Sequence, residues 1–208
     1  MIRIIQTAAD LEEGAACLSR QDPRLAYALQ LTGELPLRRR KDGFESLLDA
    51  IVSQQVSVAA GNAIWSRLKA AKLTGPRKIA AASDDELRQC GLSRQKIRYA
   101  RELAAARINF RQLRTQNCEE VVATLTVVPG IGRWTAEIYA MFSLGHADAF
   151  AAGDLALQEA TRLLFGMKNR PTEAELRHLA EAWRPWRAVA ARILWKYYHL
   201  EKQRSGIR

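Results

Sequence analysis

Two neighbouring stretches hold most of the residues whose types and spacing could do chemistry. The first is Leu125-Thr-Val-Val-Pro-Gly-Ile-Gly-Arg-Trp-Thr-Ala136. Gly130 and Gly132 let the chain turn sharply and leave its backbone bare. A helix starting just beyond them would point its free amides outward, with the positive end of its dipole behind. Such a group of N–H donors suits an anion, a phosphate above all, and is indifferent to what the phosphate carries. Arg133 adds a charge at the same place and Thr135 a hydroxyl. A plain turn between two helices, punctuated by glycine, is the alternative reading. The second stretch is Asp148-Ala-Phe-Ala-Ala-Gly-Asp154-Leu-Ala-Leu-Gln158. Gly153 supplies a turn and Asp154 stands where a helix should begin, an N-cap position worth ~1 kcal/mol to that helix. Asp148 is the competing carboxylate.

The elements that must position these groups all read as helices. Thr7 can cap a first helix containing Ala8–Cys17, and Pro23–Leu31 forms a second, ended by Gly33. Leu37–Lys41 is a basic connector with Arg38, Arg39 and Arg40, open to reading as a solvated linker or as a phosphate contact. Phe44, Leu47, Leu48, Ile51, Val52 and Gln55 follow at helical spacing, the last of them polar. Ile64–Leu68 continues in helix, and Asp84–Gln89 begins a short one that Gly91 terminates. Ser93 caps a helix with Ile97, Ala100, Leu103 and Ala104 on one face. Val121, Val122 and Leu125 lead into the glycine turn, and Trp134, Ile138, Met141 and Phe142 share one side of the helix beyond it. Thr172 and Glu175 make a capping box for Leu176, Leu179 and Trp183. Pro185 then starts the last helix, through Trp195 to about Leu200. Alternation at period two is absent, as are repeats and low-complexity tracts. The fold class is all-α.

Of 208 residues, 48% are hydrophobic and 7% aromatic, a globular composition. Thirty-two Lys and Arg against 22 Asp and Glu leave a net charge of +10, a field that suits nucleic acid ahead of an anionic membrane. Cys17, Cys90 and Cys118 are odd in number, far apart and never in a C-x-x-C pair, which argues against a disulfide framework, a zinc site or an iron–sulfur cluster. The start, MIRIIQTAADLEEG, has no long apolar run, so neither a leader peptide nor a membrane span is expected, and a reduced cytoplasmic setting follows.

From Phe44 to Trp195 the chain resembles the helix-hairpin-helix DNA glycosylases, and within them the 3-methyladenine DNA glycosylase II family. The resemblance is carried by FESLLDAIVSQQVSV (44–58), GLSRQKIRYARELA (91–104), VPGIGRWTAEIYA (128–140), DAFAAGDLALQ (148–158) and WRPWRAVAARILW (183–195). It implies the compact form, without the β-rich N-terminal domain of the bacterial type member. It implies that Asp154 is the catalytic carboxylate, that Trp134 and Trp195 line the base pocket, and that Gly130, Gly132, Arg133 and Thr135 hold DNA phosphate. It also implies that the backbone carbonyls of Thr126, Val128 and Ile131 bind a monovalent cation, Na⁺ or K⁺, with no other cofactor. Of the five tryptophans, Trp183 and Trp186 read as structural. Where the type member inserts a leucine into the duplex, this sequence has Gln55, whose amide can fill space and hydrogen-bond the widowed base. Bifunctional relatives carry a lysine nucleophile after the hairpin's Gly-Arg, and Trp134 stands there instead.

These readings combine into one expectation. The chain is a single all-α unit over 1–208 with two helical lobes. The middle lobe, 42–142, ends in the helix-hairpin-helix of about 121–142. The second combines 1–41 with 143–208, and the cleft between the lobes holds the site. The expected partner is double-stranded DNA containing alkylated bases, met by a monomer. The implied activity is hydrolytic removal of alkylated purines, leaving an abasic site. The alternatives weighed are a damage-binding or architectural protein without activity, which would need no carboxylate, and a glycosylase for mismatched adenine or uracil.

Overall fold

A computed structural model describes residues 2–204. In chain order its helices are α1 (Ala8–Gln21), α2 (Pro23–Thr32), α3 (Phe44–Val52), α4 (Val58–Ala70), α5 (Pro76–Ala81), α6 (Asp84–Gln89) and α7 (Arg94–Ala105). They continue as α8 (Phe110–Leu113), α9 (Cys118–Thr126), α10 (Arg133–Tyr139), α11 (Leu155–Leu164), α12 (Glu173–Leu179) and α13 (Arg187–Arg204). A π-helical turn, Ala140–Leu144, follows α10 directly, and a 3₁₀ turn, Ala180–Trp183, follows α12. No strand is present among the described residues; a single antiparallel bridge joins Ile4 to His146. The class is all-α, as the periodicities require.

The chain forms two compact units, one of residues 1–39 with 140–208 and one of residues 40–139. In the first, α13 packs on α2 and α11. Every residue of α13 from Arg187 to Leu194 is buried, so its leading turns have no solvent face and serve as the unit's central rod. Leu11, Leu18, Leu25 and Leu157 are buried in the same unit, as is Ile193 of α13 itself. Trp183 and Trp186 are both buried there. Trp183 meets Phe150 and Phe165 edge-on, at centroid distances of 5.7 and 6.2 Å, and its indole N–H donates to Asp22 at 3.4 Å. Gly14 lets α1 come close to the start of α13: a Cβ there would lie 2.7 Å from the Trp186 ring.

The sequence puts the start of the last helix at Pro185, but α13 begins at Arg187, and Pro185 lies in the preceding turn after a cis peptide bond. The helix also runs on to Arg204, because Lys and Arg in the last turn complement its negative end.

In the second unit α7 packs on α3 and α5. Leu47, Leu48, Ile51 and Val52 of α3 are buried against Ile97, Ala100 and Leu103 of α7, which is otherwise polar. Ser83, Ser93 and Asn117 cap α6, α7 and α9 through their side chains, so each start is fixed locally. Tyr139 closes the unit: its hydroxyl accepts from Gly43 N–H at 2.8 Å, and burial pushes its pKa up to about 12. Short helices α5 and α8 were not visible in the sequence pattern, having only one buried residue each.

His146 is buried, and neither ring nitrogen has a hydrogen-bond partner among the described residues. Burial, aided by the charge of Arg39, pushes its pKa from 6.5 down to about 4. The unfolded chain, titrating near 6.5, therefore takes up a proton more readily than the folded one. The contribution of the neutral ring is fully present above pH 6.5 and is lost as pH falls through the folded value, roughly 3 kcal/mol in all. Wild type should therefore show a steeper fall in Tm between pH 7 and pH 4.5 than His146→Leu. Parallel melting curves for the two proteins would show that His146 is not the group responsible.

Candidate active site

The carboxylate comes from the unit of residues 1–39 and 140–208. Asp154 has extended backbone and is the N-cap of α11, so its Oδ1 accepts from Ala156 N–H at 3.0 Å and Leu157 N–H at 3.1 Å. A third donor comes from far along the chain: the Trp195 indole N–H, 3.1 Å from the same oxygen. Trp195 belongs to α13, the buried rod, so the carboxylate is held in position by two helices of one unit. Oδ1 is thereby held by three donors without any ligand, the kind of preorganisation that electrostatic stabilisation of a developing charge needs.

Asp148 is engaged differently. Its two oxygens accept from Arg187 at 2.7 and 3.0 Å and from Arg184 at 3.0 Å, and Arg187 is itself almost fully buried. This is a charge clamp between the Ala147–Phe150 stretch and the start of α13. The two carboxylates therefore differ in their partners: Asp154 accepts from backbone amides and an indole, Asp148 from two guanidinium groups.

Behind Trp195 lie two residues that sequence reasoning missed. Phe142 stacks on the indole, with ring centroids 5.8 Å apart and 28° between planes. The π-helical turn at Ala140–Leu144 is what puts it there, a widening of the helix that an α-helical period does not anticipate. Arg192 lies with its guanidinium carbon 4.7 Å from the Phe142 ring and donates to the carbonyls of Ala188 and Leu37. Burial, then the charges of Arg38 and Arg39, pushes its pKa down to about 10. Nothing in the sequence distinguishes Arg192 from an ordinary solvated helix arginine.

The hairpin lies in the other unit, formed by α9 and α10. Gly130 adopts φ +92, and a Cβ on it would fall 2.4 Å from the Tyr99 ring. Gly132 differs: no atom lies within 4 Å of where its Cβ would be, so its backbone faces open space. The hairpin and the turn after α3 line one groove of about 660 Å³, whose walls include Gln54, Gln55, Gly130, Gly132 and Thr135. Gln55, past the end of α3, is exposed with φ +55. Trp134, in the first turn of α10, is 45% exposed. Arg133 fits a phosphate role least well, since its guanidinium donates to Glu137 at 3.0 Å and Glu119 at 3.1 Å.

Among the described residues no cluster of His, Cys, Asp and Glu could hold a metal ion. The hairpin carbonyls are a different donor set. Among the described residues those of Thr126 and Ile131 accept no backbone hydrogen bond, and that of Val128 accepts one, from Ile131 N–H at 3.0 Å. Neutral carbonyl oxygens with lone pairs to spare fit a hard cation of low charge.

Residues 48–185 match the HhH-GPD superfamily of base excision DNA repair proteins. The chain belongs to that superfamily. It is 32% identical to DNA-3-methyladenine glycosylase 1 of Schizosaccharomyces pombe, over 81% of this chain and 78% of that one. The crystal structure of a DNA-3-methyladenine glycosidase from Bacillus halodurans superposes with a TM-score of 0.82 at 31% identity, covering 98% of this chain and 94% of the other. The S. pombe 3-methyladenine DNA glycosylase Mag1, solved in complex with abasic DNA, superposes with a TM-score of 0.77 at 31% identity, covering 88% and 95%. As an HhH-GPD protein the chain is a DNA-repair protein whose hairpin carries the superfamily's name. No helix among the described residues is long and apolar enough to cross a membrane.

Proposed function

We propose that this HhH-GPD protein is a monofunctional DNA glycosylase that flips alkylated purines out of duplex DNA and hydrolyses their bond to deoxyribose. The observation that carries the reading is the Asp154 carboxylate, fixed by two backbone amides and the Trp195 indole in a chain whose relatives bear 3-methyladenine glycosylase names.

A base within the stack is beyond reach, so the nucleotide must rotate out, and flat walls must receive the base. Trp195 and Trp134 are the indoles assigned to that task. Methylation at N3 of adenine or N7 of guanine makes the base cationic, and an indole face attracts a cation by ~0.5–2 kcal/mol. As the N-glycosidic bond breaks, the base leaves with the bonding electron pair and positive charge grows on the sugar. Asp154 stabilises that charge and orients a water, whose oxygen bonds to C1′ while its proton passes to the carboxylate or to solvent. The product is an abasic site. Gln55 fills the gap in the duplex. The bare amides around Gly132 and the Thr135 hydroxyl take the phosphate, with Arg133 contributing charge. A Na⁺ or K⁺ ion on the carbonyls of Thr126, Val128 and Ile131 would add a positive charge facing the phosphate. Nothing in this scheme requires more than one copy of the chain, and the working form is a monomer.

The test is base release from methylated duplex DNA. Methylated purines should appear free in solution, with strands intact until alkali or heat is applied. Borohydride should trap no covalent adduct, because Trp134 occupies the position at which an amine would form a Schiff base. A robust trapped species would show that some lysine acts as nucleophile and that the enzyme is bifunctional.

A further inference from the structure

Gln54 has no role in the scheme above, yet its side chain makes a hydrogen bond across 76 residues of chain in its unit's groove. It is half-buried, and its side-chain amide donates to the Gly130 carbonyl at 2.9 Å. That carbonyl belongs to the peptide joining Gly130 to Ile131, whose N–H donates to Val128 at 3.0 Å. One hairpin peptide is therefore held at both ends, once by the hairpin and once by the turn after α3. The turn is tied on its other side too. The Lys96 ammonium donates to the carbonyl of Val52, the last residue of α3, at 2.6 Å. Ser53 sits so near Gly61 that a Cβ there would lie 3.1 Å from its hydroxyl. Between these ties Gln55 keeps φ +55, a conformation that a residue with a side chain holds only when its surroundings impose it.

A side chain that pushes a base out of a duplex must act against something fixed. A turn free to slide relative to the gripped phosphate would yield instead of the base, and ordering it during flipping would oppose the step. We propose that Gln54 is a positioning residue that latches the intercalating turn to the phosphate-holding hairpin, so that Gln55 meets the duplex at a set distance from the held phosphate. This rests on the roles given to Gln55 and to the hairpin under the proposed function. A donor is required at this position, because the Gly130 group is an acceptor. A thioether of similar length would leave it unpaired, and a carboxylate would repel it.

The experiment compares Gln54→Met, Gln54→Glu, Gln55→Ala and the double variant Gln54→Met/Gln55→Ala. Single-turnover release is measured for a methylated base in duplex and in single-stranded DNA, with 2-aminopurine fluorescence beside the lesion reporting flipping. Gln54→Met and Gln54→Glu should each lower duplex release by ~10-fold and delay the fluorescence change. Release from the single strand, where the base is already unstacked, should fall much less. On the Gln55→Ala background Gln54→Met should add nothing, because both act through one step. Equal losses on both substrates, or fully additive losses, would mean a merely structural role and would overturn the latch, as would wild-type rates. If Gln54→Met does not fold, Gln54→Glu and the shorter Gln54→Asn carry the same comparison. Wild-type protein that releases no methylated base from either substrate would overturn the glycosylase reading together with the latch. Active wild type with unaffected variants would overturn the latch alone.

Discussion

Asp154→Asn should lower base release by ~10²-fold or more while the protein stays folded. Asparagine caps a helix as well as aspartate does. Its carbonyl oxygen can still accept from Ala156, Leu157 and the Trp195 indole, the three donors that now converge on Oδ1. Only the charge is lost, which in the proposed mechanism faces the developing cation. Duplex affinity should persist or tighten, since an anion near the phosphates has gone. Asp148→Asn should behave in the opposite way. It removes one of the two carboxylate partners of Arg187, whose side chain is only 6% exposed and which keeps Glu181, and should lower stability by ~1–3 kcal/mol before it alters the chemistry. Single-turnover release and thermal melts on both variants separate the assignments. Near-wild-type release by Asp154→Asn would overturn the assignment and return Asp148 to contention.

Gly130→Ala and Gly132→Ala should part company, although the sequence presents the two glycines as equals. At Gly130 an added methyl would meet the Tyr99 side chain at 2.4–2.7 Å on a backbone with φ +92. Overpacking and left-handed strain together should remove ~2–5 kcal/mol of stability. Removing the ring by Tyr99→Ala should restore part of that, but never the part due to φ. At Gly132 nothing lies within 4 Å and φ is not positive, so the fold should be untouched. The methyl would instead stand where a phosphate approaches, and affinity for any duplex should fall by ~10-fold, or about 1.4 kcal/mol. Chemical denaturation and duplex titrations at several salt concentrations read the two effects. Unchanged duplex affinity in Gly132→Ala would remove the hairpin from the phosphate-holding role.

What could be read from the sequence is what depends on near neighbours in the chain. Thr7, Ser93 and Thr172 cap the helices assigned to them, and Gly33 and Gly91 end theirs with positive φ, because capping and left-handed turns are settled within four residues. The stripe on α3 is legible for the same reason, and Asp154 is an N-cap because Gly153 and the apolar period of α11 follow local rules. Trp183 and Trp186, structural by their sequence context, are buried in the core of their unit. The activity came from motif resemblance rather than from any of these patterns.

What the sequence could not supply depends on residues brought together from far along the chain. The Trp195 bond to Asp154 spans 41 residues, the Gln54 bond to Gly130 spans 76, and the Arg187 clamp on Asp148 spans 39. No periodicity encodes such pairs, since each requires two helices to pack at one particular register. The π-helical turn that lays Phe142 against Trp195 departs from the 3.6-residue period on which the reading of that helix relied. Arg192 is the plainest case: in sequence it is a charge on a helix, and only the packing of α13 in the middle of its unit buries it beneath an aromatic ring. Tertiary structure decides which of two similar residues becomes a tool and which a fastening, because burial and partners are properties of the assembled core.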